Sequence, residues 1–390
     1  MINFDFNQNC YGCRNCENIC PNKAIEIIEN VEGFLVPKIN KEKCVDCGLC
    51  ERKCPYLSIN NEIVLDKSIW YSCYLKDVNE RKKSTSGAIF PALAKYFLDN
   101  DGLVCGCIWN NEMKPIHVLT DDHEIIEKMR GSKYVQSDLK NIAEEIKKSI
   151  NYKKVLFTGT PCQVAAIKLY VGENPNLYTC ALICEGVPPY KVWNKYVKKL
   201  EKKYKSKMIN ACFRNKELDW NTPVAKYEFA NGKTRRTLSF TYDKYVIGFL
   251  QGLYYRNSCN TCQYKGNGHN SDILIGDLWG ANKKLLEETE YQGISAVLLN
   301  SDKGIKMFDK VKNNYIFEVI EREKVVEHNL LLINSMDKHR KRDTFFYNLD
   351  KVDIEKNIDN NTNQNKVINY IKEMLYKIKI FKFLKRLKGE

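Results

Sequence analysis

Eight cysteines in the first 54 residues repeat one spacing. Cys10, Cys13, Cys16 and Cys20 precede Pro21, and Cys44, Cys47, Cys50 and Cys54 precede Pro55, so both runs read C-x2-C-x2-C-x3-C-P. Three thiols on a tight loop can reach three corners of one cubane cluster, whereas the fourth, held before proline, points away toward the neighbouring run. The pairing expected is therefore crossed. One site takes Cys10, Cys13, Cys16 and Cys54, and the other takes Cys44, Cys47, Cys50 and Cys20.

This is the spacing of bacterial two-cluster ferredoxins, and its occurrence twice in tandem predicts two [4Fe-4S] clusters and traffic in electrons. Zinc knuckles use two ligand pairs with a longer insert and often recruit His, but residues 1 to 66 contain none. The chain has seventeen cysteines. With no cleavable signal sequence and no apolar run near eighteen residues, they point to a reducing cytoplasm rather than a disulfide framework.

The 390 residues suffice for two or three domains. We expect an α+β, ferredoxin-like unit over 1–66, a mixed-sheet α/β domain over 67–340 and a basic helical tail over 341–390. The first unit carries seven Lys/Arg against ten Asp/Glu, a net −3, which leaves +17 on the rest of a +14 chain. A basic body suits a polyanionic ligand or an acidic protein donor, although most single lysines do no more than keep a surface solvated. Nucleic acid is the weaker candidate, because no recognised binding motif accompanies the charge.

Residues 61–83 read as a hinge containing a short strand, Ile69 to Leu75. Strands around 103–109, 155–157 and 178–183 then alternate with helices near 125 and over 139–150, 163–171 and 192–200, an order that favours an α/β core. Segments 224–229 and 234–240, joined through Asn231-Gly232, predict a β-rich insertion. In the tail, Ile368, Ile371, Leu375, Ile378, Phe381 and Leu384 recur at helical intervals among eight Lys/Arg and two acids over 365–390. Docking of that helix on the protein's own body is favoured over contact with an anionic membrane.

Three turns could hold a phosphate-bearing cofactor. Ser84-Thr85-Ser86-Gly87 leads into the apolar run from Ile89, either as an anion site or as an ordinary helix cap. Thr158-Gly159-Thr160-Pro161 closes a strand and opens a helix, and Ile275-Gly276-Asp277 ends another strand. Cys162 and Cys184 follow adjacent strands. With the lone pair Cys259 and Cys262 they form a candidate third [4Fe-4S] site; the alternative is a buried or redox thiol at Cys162 with zinc held by the pair across a dimer. Cys73, Cys105, Cys107, Cys180 and Cys212 sit on apolar stretches and read as core. His269, in the loop after Cys262, is a candidate proton donor, weighed against a surface histidine.

The segments STSGAIFPALA (84–94), RGSKYVQSDL (130–139), LFTGTPCQVAAIK (156–168), ICEGVPPYKVWNKY (183–196), CFRNKELDW (212–220) and CNTCQYKGNGHNSDILIGDLWG (259–280) resemble the coenzyme F420 hydrogenase/dehydrogenase beta-subunit family. The resemblance implies a flavin-binding domain with FAD, iron-sulfur clusters and a second acceptor, the deazaflavin F420 in some members and a tetrapyrrole in related reductases. It also implies roles for Ser84, Thr85, Ser86 and Gly87 at the flavin phosphates, and for Lys133, Thr158, Gly159 and Thr160 near the isoalloxazine or pyrophosphate. Two departures stand out: Ala88 where a second glycine is frequent, expected to cost little room, and Glu185 where many members have His. The enzyme expected is a flavin-dependent oxidoreductase working with a redox partner protein or ferredoxin. A non-catalytic electron-transfer subunit is the alternative, and homo-oligomerisation stays open.

Overall fold

A computed structural model describes residues 2–58 and 65–381. Its strands are β1 (Ile25–Glu29), β2 (Leu35–Ile39), β3 (Ile69–Leu75), β4 (Leu103–Trp109), β5 (Pro115–Thr120), β6 (Val155–Gly159), β7 (Leu177–Leu182), β8 (Met208–Asn215), β9 (Val224–Phe229), β10 (Thr234–Leu238), β11 (Ile273–Asp277), β12 (Ser295–Leu299) and β13 (Tyr315–Val319). The main sheet runs β13-β3-β12-β11-β7-β6-β4-β5. Its centre, β4, β6, β7 and β11, is parallel, and the outer pairings are antiparallel. Valine, isoleucine and leucine fill the central strands because both faces are covered by helices, among them Ile89–Asp99, Ile142–Ser149 and Pro161–Val171.

Segments expected to be flexible joints turn out to be structural. β3 has the expected bounds, Ile69–Leu75, but it is an interior strand between β12 and β13 with Trp70 and Cys73 buried, so the strand is right and the hinge is not. The proposed boundary falls beside residues 59–64, which lie outside the described residues. The segment assigned to a tail likewise divides. Helices Arg342–Asn348 and Ile354–Asn361 bury Phe345, Leu349, Ile354 and Ile358 against Tyr245 and Tyr254, so the body extends to at least residue 361.

The β-rich insertion is a separate three-stranded antiparallel sheet, β10-β9-β8. Trp193 and Tyr196 of the helix Tyr190–Tyr204 pack on Phe213, Tyr227 and Tyr245 in a ring of edge and stacked contacts 4.9–6.3 Å apart. Such aromatic clusters bury large areas and fix the insertion against the body.

The final described helix, Lys366–Lys377, only partly docks. Its buried residue is Glu373, which accepts a hydrogen bond from the Leu238 backbone at 2.9 Å. Ile368, Ile371, Met374 and Ile378 remain exposed, against the expectation that its apolar side meets the body. Leu384 lies outside the described residues. Among the described residues no helix is long and apolar enough to cross a membrane.

The cysteine-rich unit consists of short helices and the β1–β2 hairpin, seated on the body by buried polar contacts. Arg14 reaches Asp138 at 2.5 and 3.0 Å, Arg342 forks onto Glu32 at 2.8 and 2.6 Å, and Asn15 donates to the Ala166 carbonyl at 2.7 Å.

Candidate functional site

The carboxyl ends of parallel strands are where an open α/β sheet leaves a crevice. Here the ends of β6, β7 and β11 open into a cavity of about 530 Å³, roomy enough for a large cofactor. One end is lined by Ser84, Thr85, Ser86, Arg130 and Ser132. Arg130 is tied to Glu80 at 2.7 Å and to the Ser84 hydroxyl at 3.0 Å, and its Nε has no partner. The Ser86 hydroxyl is committed to the Ile294 carbonyl.

Gly87 is not part of the lining. Its amide donates to Ser295 Oγ at 3.0 Å, and a Cβ there would meet the Cys73 carbonyl at 2.3 Å, so glycine is required by close approach to the sheet rather than to a ligand. The helix Ile89–Asp99 begins at Ala88, with φ of +66° and no side-chain cap. The serines and threonine therefore do not cap it, and the departure at Ala88 is a matter of left-handed backbone, not of room.

Lys133, Thr158, Gly159 and Thr160 line the middle of the cavity. The Lys133 ammonium donates to the carbonyls of Lys128, Met129 and Arg130 at 2.8–3.0 Å, closing the end of the helix His123–Met129, and burial pulls its pKa down to about 8. Thr160 opens the helix Pro161–Val171: its N–H donates to Gln163 Oε1 at 3.0 Å, and its hydroxyl lies 3.2 Å from Cys162 Sγ. His117, which sequence spacing does not single out, bonds the Thr158 carbonyl at 2.9 Å and Ser137 at 3.0 Å. Burial lowers it to about 4, so it stands neutral at pH 7.

Another part of the lining carries charge between aromatic rings. Arg214 pairs with Asp277 and lies 5.0 Å from the ring of Trp279, which stacks on Trp220 at 4.9 Å. The Trp220 indole also donates to Asp277 at 3.2 Å, and Arg214 keeps two guanidinium nitrogens without partners. Glu185, the second departure from the family pattern, also lines the cavity, and burial raises its pKa against the opposing influence of Tyr255 and Arg214. Arg214 comes from the β-rich insertion, within the segment CFRNKELDW, to which sequence reading assigns no role of its own.

Cys184 lines the cavity as well, and its neighbours are the other three candidate ligands. Burial pushes the Cys162 thiol up, and the Cys262, Cys184 and Cys259 thiolates push it further. Burial also raises Cys184 to about 11 and Cys259 to about 12. Buried thiols of this kind carry charge only when a metal draws off their protons. The strand pairing of β6 with β7 brings Cys162 and Cys184 to one edge, as the sequence order predicts.

In the N-terminal unit, a small cavity is bounded by Cys20, Cys44, Cys47 and Cys50, the crossed set expected for one cluster. Cys16 is raised by burial and then by Cys10 and Cys54, its expected partners in the other. Among the described residues no three His, Cys, Asp or Glu gather closely enough to hold a single metal ion. Tyr11 and Tyr264 pack edge to face at 5.6 Å between the first cysteine set and the Cys162–Cys262 side, and the Tyr264 hydroxyl donates to the Pro55 carbonyl at 2.6 Å.

Two expectations fail. His269 is neither a surface residue nor a cavity residue: it is buried, bonds the Leu332 carbonyl at 3.1 Å, and is lowered to about 4 by burial. Cys73, Cys105 and Cys180 are buried as core cysteines should be, but Cys107 and Cys212 are only partly covered, and Cys107 faces the cavity.

Comparison with known proteins gives two family matches. Residues 152–325 match the C terminus of the coenzyme F420 hydrogenase/dehydrogenase beta subunit, and residues 9–57 match a 4Fe-4S dicluster domain. A stretch of 62 residues is 47% identical to an uncharacterized polyferredoxin-like protein of Methanocaldococcus jannaschii, covering 14% of this chain and 37% of that protein. The B component of an ion-translocating oxidoreductase complex of Methanosarcina acetivorans is 44% identical over 50 residues, 13% of this chain and 17% of its own. Ferredoxin-1 of Caulobacter vibrioides is 40% identical over 48 residues, 12% and 38% respectively. The chain thus spans less than two fifths of each of these relatives. Among solved structures, a chain of the F420-reducing [NiFe] hydrogenase complex from Methanosarcina barkeri matches at 21% identity over 75% of this chain and 89% of that one, with a TM-score of 0.44.

Proposed function

We propose that this chain, which joins a 4Fe-4S dicluster domain to a region of the coenzyme F420 hydrogenase/dehydrogenase beta-subunit family, is a flavin-dependent oxidoreductase. In this reading electrons pass between two ferredoxin-type clusters, a third cluster at Cys162, Cys184, Cys259 and Cys262, FAD and a second acceptor, F420 or another organic molecule. The observation that carries it is a single wall: Cys184 belongs both to the four-cysteine group and to the lining of the 530 Å³ cavity. Bound there, a flavin would convert one-electron traffic into two-electron chemistry.

The residues present suit that group. Ser84, Thr85, Arg130 and Ser132 offer hydroxyls and a cation for its phosphates, with the unpartnered Arg130 Nε among them. Lys133, Thr158, Gly159 and Thr160 border the middle, and neutral His117 holds the Thr158 carbonyl in place. Trp279, Phe240 and Phe249 also line the cavity and exclude water beside Arg214, which keeps free donors for a second molecule's oxygen atoms. His269 has no part in this, since it is absent from the lining and its Nε2 bonds the Leu332 carbonyl.

Anaerobic purification tests the reading. Flavin and about twelve iron atoms per chain, four for each of three clusters, are expected. Iron without flavin would leave an electron-transfer subunit serving a partner enzyme. Reoxidation of the reduced protein by F420, nicotinamides, ferredoxin or organic acceptors would then identify the acceptor.

The exposed side of the helix Lys366–Lys377 fits an anionic membrane surface. Val367, Ile371, Met374 and Ile378 follow one another at helical intervals, with Lys366, Lys372, Lys377 and Lys379 flanking them. Charge of one sign beside an apolar stripe is the combination such a surface binds.

A further inference from the structure

Arg256 is 2% exposed, and among the described residues none of its hydrogen-bond partners is a carboxylate. Its Nε donates to the Cys10 carbonyl, Nη1 to Gln136 Oε1 at 2.8 Å and Nη2 to the Leu35 carbonyl at 2.6 Å. The Phe34 ring lies 5.1 Å from the guanidinium. The guanidinium presses so closely on the Cys10–Cys13 loop that a Cβ on Gly12 would come within 2.7 Å of Nη1. On the other side its own carbonyl accepts from the Cys259 amide at 2.9 Å, and its amide donates to Val187 in the loop after Cys184. Ser258 Oγ shares the Cys10 carbonyl at 3.0 Å. One buried cation on the Cys10 loop is therefore carried by a residue whose backbone holds the loops of Cys184 and Cys259, and its charge also acts on Cys259; hydrogen bonds to neutral groups do not compensate a buried charge.

We propose that Arg256 is the shared counter-cation of the cluster held by Cys10, Cys13, Cys16 and Cys54 and of the cluster held by Cys162, Cys184, Cys259 and Cys262. This rests on the third cluster of the function proposed above. Each reduction takes one electron from the preceding donor and adds one negative charge to a thiolate-ligated centre; no bond forms or breaks. A fixed positive charge beside both centres favours the reduced form of each and so raises both potentials, keeping the two close enough for electrons to pass in either direction. Arg256 is in this sense a positioning residue with an electrostatic task.

The test is an EPR-monitored redox titration of anaerobically purified protein, with iron counted first. Arg256→Gln should lower both midpoints by enough to change the reduced fraction at least tenfold at fixed potential, about 59 mV for one electron, whereas Arg256→Lys should restore most of the shift. Because Arg256→Gln removes hydrogen bonds as well as charge, Gln136→Glu is the companion variant: it keeps the arginine, gives it a carboxylate partner, and should lower both midpoints in the same direction. A fully loaded Gln136→Glu protein with unchanged potentials would overturn the inference, as would Arg256→Lys shifting as far as Arg256→Gln. A shift confined to the first cluster would overturn the shared role. Eight iron atoms in the unmodified protein would end it together with the third-cluster reading, and that failure shows in the iron count rather than the potentials.

Discussion

Gly87→Ala separates a glycine demanded by the sheet from one demanded by a ligand. The added Cβ would lie 2.3 Å from the Cys73 carbonyl oxygen and 2.8 Å from the Ser295 amide nitrogen, both backbone atoms of neighbouring strands, where ordinary contact starts near 3.4 Å. Neither strand can yield, so the Ser84–Gly87 turn must move by roughly 1 Å. Overpacking of this kind costs about 1–3 kcal/mol. The hydrogen bonds from Gly87 N to Ser295 Oγ and from Leu75 N to the Gly87 carbonyl, at 3.0 and 2.9 Å, add about 1 kcal/mol each if they break. The sum, roughly 3–5 kcal/mol, corresponds to a melting point lower by roughly 5 °C in a chain of this length.

Gly131 supplies the control. Unlike Gly87 it lines the cavity, with φ of +79°, and a Cβ there would meet nothing within 4 Å. Gly131→Ala should cost only the left-handed strain, about 1 kcal/mol once the stiffer unfolded chain is credited. Melting curves and bound flavin per chain are the measurements: Gly87→Ala should be the less stable variant and should lose flavin, because Ser84 and Thr85 move with the turn. A Gly87→Ala protein as stable as Gly131→Ala would refute the packing argument. One that is destabilised yet binds flavin normally would remove the turn from the cofactor site.

Three further outcomes follow from the contacts. Cys259→Ala combined with Cys262→Ala should lower iron from about twelve to about eight atoms per chain while the two N-terminal clusters survive; an unchanged iron content would reject these ligands. Breaking the buried Arg342–Glu32 fork with Arg342→Gln should cost about 3 kcal/mol, and a double-mutant cycle with Glu32→Gln should return a coupling of about 1 kcal/mol or more, a zero coupling ruling out the pair. Ile371→Glu with Ile378→Glu should abolish sedimentation with phosphatidylserine vesicles without altering the melting curve; loss of a dimer instead would mark that side as an interface between copies.

The doubled cysteine run is legible because its constraint is local: the thiols that share a cluster lie on loops set by spacing alone, and only Cys20 and Cys54 cross over. The central strands are legible for a related reason, since apolar runs bounded by turns fix strands before any partner is known. β3 reads wrongly as a hinge because its alternating pattern and polar neighbours suit a linker equally well, and only pairing with β12 and β13, more than two hundred residues away, makes it interior. The helices at 342–361 mislead for the opposite reason. They are grouped with the basic segment that follows at 365–390, although they carry only three Lys/Arg against five Asp/Glu, while Phe345, Ile354 and Ile358 find their apolar partners on the helix at 244–250 and the residues after it.

The candidate site divides along the same line. Thr158, Gly159 and Thr160 sit at a strand end, where position in the motif predicts position in space. Arg130 and Arg214 lie in segments that carry the resemblance but receive no role, and Arg256 lies in none, because a single cation among 62 Lys and Arg is indistinguishable from a solvated one until its burial and partners are known. The partners of Arg256 lie 246, 221 and 120 residues away. That separation has a functional corollary: among the contacts that hold the cysteine-rich unit to the body are those that fix the Arg256 cation on the Cys10 loop. A variant that loosens the docking of the unit through Arg256 should therefore disturb potentials even where it leaves every cysteine ligand intact, whereas loosening it through Arg342 and Glu32, which touch no cysteine, should not.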